Sequence, residues 1–334
     1  MSGIAILGGG SWGTALAMVL GRARRRHEIT LWVRDSALAE SIQRGRENRS
    51  YLPGQSLVPE VNVTCEIGKA ISGAQILVGA IPTAYARAVY SSAAAGVSRG
   101  AVFVSAAKGL EPATHKRMSE VVSEVFSPNS APRFAVLSGP SFAAEAARGE
   151  PTAVVLASSD VALAAELQEE FAAPNFRVYT NSDVLGVEMA GAMKNVIAIA
   201  AGVCQGLGLG ANPLAALITR GLAEMSRLAA ALGAQPETLT GLAGLGDLVL
   251  TCTGALSRNR QVGIELGKGR ALNEILAGMR MVAEGVGTTG ALLALARETK
   301  VELPITQQVA AILHEGKLPR EAIRDIMERP QKRE

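Results

Sequence analysis

An α/β fold, with a mainly parallel, doubly wound sheet followed by an all-helical domain, is predicted by three observations. Short, continuously apolar runs alternate with helix-like segments through the first half of the chain. A glycine-rich turn, Gly8–Gly13, separates the first apolar run from the first helix-like segment. Beyond Thr180 the strand-like runs disappear and only helical patterning remains. Continuous apolar strands alternating with helices imply a sheet covered on both faces. We therefore expect a Rossmann-like domain over residues 1–180 and a helical substrate or catalytic domain over 181–334.

The elements follow in order. Ile4-Ala-Ile-Leu7 reads as a buried strand, and the stretch after Thr14 reads as a helix. Between them Gly8, Gly10 and Gly13 form G-x-G-x-x-G. In a dinucleotide site the first glycine permits the tight turn, the second admits a pyrophosphate to the backbone, and the third lets helix and strand pack closely. The phosphate then faces the N–H groups of the helix N-terminus. The same glycines would also serve a plain turn in another α/β fold. A second strand, Glu28–Val33, ends in Arg34 and Asp35. An acidic residue there holds a ribose 2′-hydroxyl, and an arginine accepts a 2′-phosphate. With both present, NADPH is expected as cofactor and NADH as an alternative; Arg34 as a mere solvated charge is the competing reading. Further strands are Ala74–Ile81, ended by Pro82; Ala101–Ser105, followed by Lys108; Phe134–Leu137, running into Ser138-Gly139-Pro140-Ser141-Phe142; Thr152–Ala157; and Phe176–Tyr179. Ligands of such sheets bind beyond the carboxyl ends of the strands, which singles out Ser11, Trp12, Pro82, Lys108 and Ser141. Lys108 alone could face cofactor or substrate, or be surface charge.

Composition narrows the function classes. A chain of 334 residues with 48% hydrophobic content can bury two sizeable cores, and with only 4% aromatics they must be aliphatic. A net charge of +3 without a basic stripe does not suit nucleic acid. No uninterrupted apolar stretch of membrane-spanning length is present, and no secretory leader pattern opens the chain. Cys65, Cys204 and Cys252 are too widely spaced for a disulfide framework or a metal knuckle, and His27, His115 and His314 are not at ligand spacing. The expectation is a reduced, cytoplasmic protein without a metal.

In the second half, Asn181-Ser182-Asp183 can cap a long helix running through Gly202. Helical segments follow at Pro213–Leu232, Ser257–Leu266, Leu272–Leu276, Thr288–Glu298, Ile305–His314 and Pro319–Met327, before a charged tail from Glu328 that is expected to fray. The first of these helices carries Lys194 in almost wholly apolar surroundings, three residues after Gly191. A lysine is rarely buried without a partner. Desolvation lowers its pKa, and a lysine so poised can exchange a proton with substrate; the alternative is a lysine snorkelling from a core helix. In Gly241-Leu-Ala-Gly-Leu-Gly-Asp247, the aspartate can bind hydroxyls, orient an ammonium, or simply cap a helix. Ser257-Arg258-Asn259-Arg260 opens a helix with the residue types that suit a phosphate or carboxylate, or else forms a solvated basic helix start.

Together these stretches resemble the bacterial NAD(P)-dependent glycerol-3-phosphate dehydrogenase family. The resemblance rests on GGGSWGTALA, LWVRD, NRSYLPG, AIPT, AAKGLE, SGPSFAAE, GAMKNVIAIAAG, NPLAALITRGLAEMSRL, GLAGLGDLVLTCT, SRNR, VAEGV and ELPIT, in order over nearly the whole chain. It implies reduction of dihydroxyacetone phosphate to sn-glycerol 3-phosphate, a phospholipid precursor, or the reverse. It further implies that Ser11, Trp12 and Arg34 contact the cofactor, with Ala143, Val282 and Glu284 completing its site. Lys108 would lie between cofactor and substrate, and Gly139 and Ser141 would contact substrate. Lys194 would be the proton donor and acceptor. Asp247, Ser257, Arg258 and Asn259 would hold the substrate and its phosphate, Arg258 also reaching the cofactor. Glycine-rich segments of both halves would then meet at the active site, and the apolar helical domain would suit a homodimer. A dehydrogenase of another hydroxy acid or sugar phosphate, and a non-catalytic nucleotide sensor, are the rival readings.

Overall fold

The computed structural model describes residues 2–127 and 130–331. Two compact units make up the chain: Met1–Glu111 with Lys116–Glu188, and Pro112–His115 with Met189–Glu334.

The first unit is built on an eight-stranded sheet. Its strands are β1 (Ser2–Leu7), β2 (His27–Trp32), β3 (Val61–Thr64), β4 (Ile76–Gly79), β5 (Val102–Ser105), β6 (Arg133–Ser138), β7 (Thr152–Ala157) and β8 (Phe176–Asn181), in the order β3-β2-β1-β4-β5-β6-β7-β8. All neighbours are parallel except β6 and β7. Successive side chains leave a strand on opposite faces. Ile4, Ile6, Val102 and Val104 therefore enter one core, while Ala5, Leu7 and Phe103 enter the other. Both faces are dry, which is why these strands read as unbroken apolar runs. The few aromatics are concentrated on the second face, where Tyr90, Phe103 and Phe126 pack with centroids 4.9–6.2 Å apart.

The edge strand β3 is absent from the strands expected from sequence. Its four residues, Val-Asn-Val-Thr, bury only Val61 fully, and pairing with β2 rather than intrinsic apolarity makes it a strand. The strand order reverses at β1, between β2 and β4, so the turn after β1 opens onto the switch point of the sheet.

The helix Val184–Gly206 carries the chain from the first unit into the second, the division falling between Glu188 and Met189. The Asp183 carboxylate accepts from the Gly186 N–H at 2.8 Å and caps its first turn. This helix is long and apolar enough to cross a membrane, but 83% of its most apolar window is buried inside the protein, so core packing accounts for its composition. The second unit continues with helices Ala211–Ala231, Pro236–Thr240, Asp247–Thr253, Arg258–Gly267, Leu272–Ala277, Glu284–Thr299, Pro304–His314 and Pro319–Met327. Glu284–Thr299 starts four residues earlier than the sequence pattern suggested, and Pro236–Thr240 and Asp247–Thr253 were hidden among glycines. Glu224 is fully buried and accepts from the Ile305 and Thr306 N–H groups at 2.8 and 2.9 Å, capping Pro304–His314 from a distant helix. The tail beyond Met327 is held in part, Arg329 pairing with Glu302 at 2.9 Å. Residues 332–334 lie outside the described residues.

Two helices of this unit cross at backbone contact. A Cβ on Gly202 would collide with the Arg260 carbonyl oxygen, and one on Gly263 with that of Ile199. Gly206 and Gly267 meet in the same way one turn on. The crossing sets how far Arg258 and Asn259 stand from the helix of Lys194. Gly263→Ala is expected to cost at least about 1–3 kcal/mol through overpacking. A thermal melt checks it; an unshifted melting temperature would show that the crossing can relax.

Candidate active site

In the sheet unit the candidate residues stand along the carboxyl edge in strand order. Arg34 follows β2, the glycine turn follows β1, Pro82 follows β4, Lys108 follows β5, and Gly139 and Ser141 follow β6. The three glycines of the turn meet three different constraints. Gly8 has φ +125°, a region L side chains avoid, and its N–H donates to the Trp32 carbonyl at 3.2 Å. A Cβ on Gly13 would collide with the Gly8 carbonyl oxygen, so this position holds the helix against the strand. A Cβ on Gly10 would meet nothing within 4 Å. That open approach lies at the start of the helix Ser11–Gly21, whose first-turn N–H groups have no acceptor within the helix. The turn therefore fits a dinucleotide pyrophosphate. Trp12 and Ala143 both pack on the small cluster of Ala15, Met18, Leu52 and Ala147, and the Trp12 Nε1 is buried without a hydrogen bond.

Arg34 and Asp35 are both exposed but differently engaged. Asp35 is the N-cap of the helix Ser36–Gly45, its Oδ1 accepting from the Leu38 N–H at 2.7 Å. Beyond β5, the Lys108 ammonium donates to the Gly139 carbonyl at 2.8 Å and to Ser141 Oγ at 3.3 Å, while the Ser141 hydroxyl donates to the same carbonyl at 2.8 Å. These three residues form one cationic corner at the ends of β5 and β6.

In the helical unit Lys194 is 4% exposed and does not snorkel. Its Nζ lies 2.6 Å from Asp247 Oδ1 and donates to Thr251 Oγ1 at 3.0 Å. Thr251 in turn donates to the Asp247 carbonyl at 2.6 Å. Asp247, 1% exposed, opens the helix Asp247–Thr253 after a short π-helical segment, Leu242–Gly246, and Thr251 stands one turn further along the same face. The two bonds fix rotation about the lysine Cε–Nζ bond, so its donors are aimed. Breaking a buried ion pair of this kind typically costs about 3–5 kcal/mol. Cys252, next to Thr251, is inert: burial pushes its thiol up to about 12.

The neighbouring residues join this centre. Asn259 donates from Nδ2 to Asn195 Oδ1 at 2.9 Å and accepts from the Gly285 N–H at 3.0 Å. Ser257 caps Arg258–Gly267, its Oγ accepting from the Arg260 N–H at 3.3 Å. The Arg258 guanidinium donates to the Val282 carbonyl at 3.1 Å. Burial draws its pKa down and the charge of Glu284 opposes the shift, so a partly buried cation waits at a helix N-terminus. Lys194, Asp247, Ser257, Arg258, Asn259, Val282 and Glu284 thus share one unit, and Gly8, Gly10, Ser11, Trp12, Gly13, Arg34, Lys108, Gly139, Ser141 and Ala143 the other. Thr251 and Asn195 were missed from sequence. The signal for Thr251 was its i+4 spacing from Asp247; for Asn195 it was a polar amide in an apolar helix.

A tight glycine turn at the switch point of a parallel sheet is the binding device of nicotinamide-nucleotide oxidoreductases, and the chain is of that class. Comparison with known proteins narrows it. The N-terminus of NAD-dependent glycerol-3-phosphate dehydrogenase matches residues 3–164, and the C-terminus of the same family matches residues 183–324. Glycerol-3-phosphate dehydrogenase (NAD(P)+) of Koribacter versatilis is 55% identical over 331 residues, covering 99% of this chain and 98% of that protein. The enzyme of the same name from Geobacter sulfurreducens is 51% identical, with the same coverage. The crystal structure of glycerol-3-phosphate dehydrogenase from Coxiella burnetii matches with a TM-score of 0.93 at 40% identity, over 98% of this chain and 99% of that one. The chain belongs to the NAD-dependent glycerol-3-phosphate dehydrogenase family.

Proposed function

We propose that the chain interconverts dihydroxyacetone phosphate and sn-glycerol 3-phosphate with NADPH or NADH, using Lys194 as proton donor and acceptor. The observation that carries this reading is the buried Lys194–Asp247 ion pair, set beside the cationic helix start at Arg258. Bound NAD(P)H supplies a hydride to the ketone carbon. Negative charge then grows on the carbonyl oxygen, and the aimed Lys194 ammonium stabilises it and delivers a proton. Asp247 and Thr251 hold that ammonium in place. Arg258, Asn259 and the Ser257 cap anchor the phosphate at a distance from the carbonyl, which orients the ketone. Lys108, held by the Gly139 carbonyl and Ser141, is the cation that the sheet unit offers to substrate. In the oxidative direction Lys194 takes the hydroxyl proton as a neutral amine.

The helix start after Gly10 receives the pyrophosphate, and Arg34 the adenosine ribose. Because Asp35 is occupied as a helix cap, Arg34 is the better placed of the two, which favours NADPH. Arg34→Ala is expected to lower kcat/KM for NADPH by about ten- to a hundredfold, the worth of a charge-assisted hydrogen bond, and to spare NADH. Equal losses with both nucleotides would remove Arg34 from the 2′-phosphate. The reading includes supply of glycerol phosphate for phospholipids and a reducing, cytoplasmic setting, in keeping with three unpaired thiols. It also includes a homodimer through the helical unit, where Leu209, Leu245, Val249 and Leu256 are 37–47% exposed; light scattering decides that point. The test of the activity is nucleotide oxidation with dihydroxyacetone phosphate and with unphosphorylated dihydroxyacetone. Turnover of the phosphate ester alone is expected; NADPH binding without turnover of either ketone would leave a sensor or another hydroxy-acid substrate.

A further inference from the structure

The segment Asn48-Arg-Ser-Tyr-Leu-Pro-Gly54 takes no part in the mechanism above, yet it contains a fully buried amide. Asn48 is 0% exposed and lies beyond the helix Ser36–Gly45. Its Nδ2 donates to the Gly9 carbonyl at 2.9 Å and to Thr14 Oγ1 at 2.8 Å, and its Oδ1 accepts from the Tyr51 N–H at 3.2 Å. The partners fix the amide's orientation: a carbonyl only accepts and an N–H only donates. The same segment receives the Ser11 hydroxyl on the Tyr51 carbonyl at 2.7 Å, and buries Leu52 against Ala15 and Met18.

We propose that Asn48 is a positioning residue of the nucleotide site, which locks the Gly9–Gly10 peptide so that the Gly10 N–H faces the pyrophosphate. The inference rests on the nucleotide-binding reading of the turn. A trans peptide is planar, so its C=O and N–H point in opposite directions, and no cis bond occurs among the described residues. With the Gly9 oxygen held by Asn48, the Gly10 N–H points away from that side chain. This peptide lies between two glycines, so no Cβ opposes its rotation. The bond to Thr14 Oγ1 ties the same side chain to the first turn of the helix, so that one amide registers turn and helix together. An anion site of two or three N–H groups needs that register, since each donor must converge on the same oxygen atoms.

The test is equilibrium binding of NADPH and of adenosine 2′-monophosphate to the wild type, Asn48→Ala, Asn48→Asp and Arg34→Ala. The nucleoside monophosphate carries the 2′-phosphate and no pyrophosphate, so it reports the Arg34 end alone. Asn48→Ala is expected to weaken NADPH about tenfold, the scale of a lost buried hydrogen bond, and to leave the monophosphate bound as in the wild type. Arg34→Ala is expected to lose both. Asn48→Asp keeps the size and the Tyr51 bond but sets an acceptor against the Gly9 carbonyl, so it repeats the loss if Asn48→Ala fails to fold. In kinetics the change falls on KM for NADPH and not on KM for dihydroxyacetone phosphate. NADPH bound as tightly as by the wild type, or equal losses of NADPH and the monophosphate, would overturn the proposal. A wild type that does not bind NADPH would instead overturn the reading beneath it.

Discussion

Lys194→Ala is expected to lower kcat for dihydroxyacetone phosphate by at least about 10²–10³-fold, the range for removing one donor to a developing oxyanion. Its Nζ, the proposed donor, lies 2.6 Å from a carboxylate and 3.0 Å from a hydroxyl in a buried site. On the proposed reading, its loss takes the proton source from the substrate oxygen. The substitution also removes the ammonium from the Asp247 carboxylate, which is 1% exposed. A loss of stability of about 3–5 kcal/mol is therefore expected in the same variant. Lys194→Met with Asp247→Asn removes both charges and should recover most of the stability while staying inactive. Steady-state kinetics with thermal melts of the three proteins separate the two effects. Turnover of Lys194→Ala near that of the wild type, in folded protein, would assign the proton to another group.

Gly13→Ala is expected to abolish nucleotide binding at concentrations that saturate the wild type. The new Cβ would collide with the Gly8 carbonyl oxygen and stand 3.1 Å from the Gly8 carbonyl carbon. Both are backbone atoms of the turn, so no rotamer change relieves the contact. Either the helix Ser11–Gly21 withdraws from β1 or the turn deforms, and overpacking of this kind costs about 1–3 kcal/mol even where side chains give way. Each outcome moves the helix N-terminus from the position proposed to meet a phosphate. The expected result is loss of NADPH-induced stabilisation in a thermal melt, with the apo protein folded but less stable. Full NADPH stabilisation in this variant would show that the turn is a packing device and not the phosphate site. Gly10→Ala is the matched control: its Cβ has open space in the apo protein, so only the bound form should suffer.

The sheet domain was legible because its signals are local. Unbroken runs such as Ile4–Leu7 and Thr152–Ala157 report burial, and the glycine spacing reports a turn, although Gly8 and Gly9 are also pressed by Ala80 and Val33 from neighbouring strand ends. The helical half was legible from caps such as Asp183 and Ser257 and from apolar periodicity. What failed was also local in cause. Val61–Thr64 is too short and too polar to announce a strand, and the glycines of Gly241–Gly246 obscure the helices on either side. For the site, the residue types at Lys194, Asp247 and Arg258 suggest roles, each with an ordinary alternative, and the sequence does not show that Lys194 pairs with Asp247.

The sequence by itself determined the class of fold, the glycine turn after β1 and the chemical types available for a ketone and its phosphate. These depend on chain stereochemistry and on nearest neighbours, which a linear string carries in full. Only the tertiary structure decided which groups pair. Lys194 meets Asp247 and Thr251, Asn195 meets Asn259, and Asn48 reaches back to Gly9. Such contacts join residues dozens of positions apart and are selected by the packing of whole elements, here by glycines that let two helices touch at the backbone. Packing also settled the antiparallel pairing of β6 with β7 and the use of Asp35 as a cap. A polar side chain has many possible partners along a chain; burial leaves it only those the fold brings within about 3 Å.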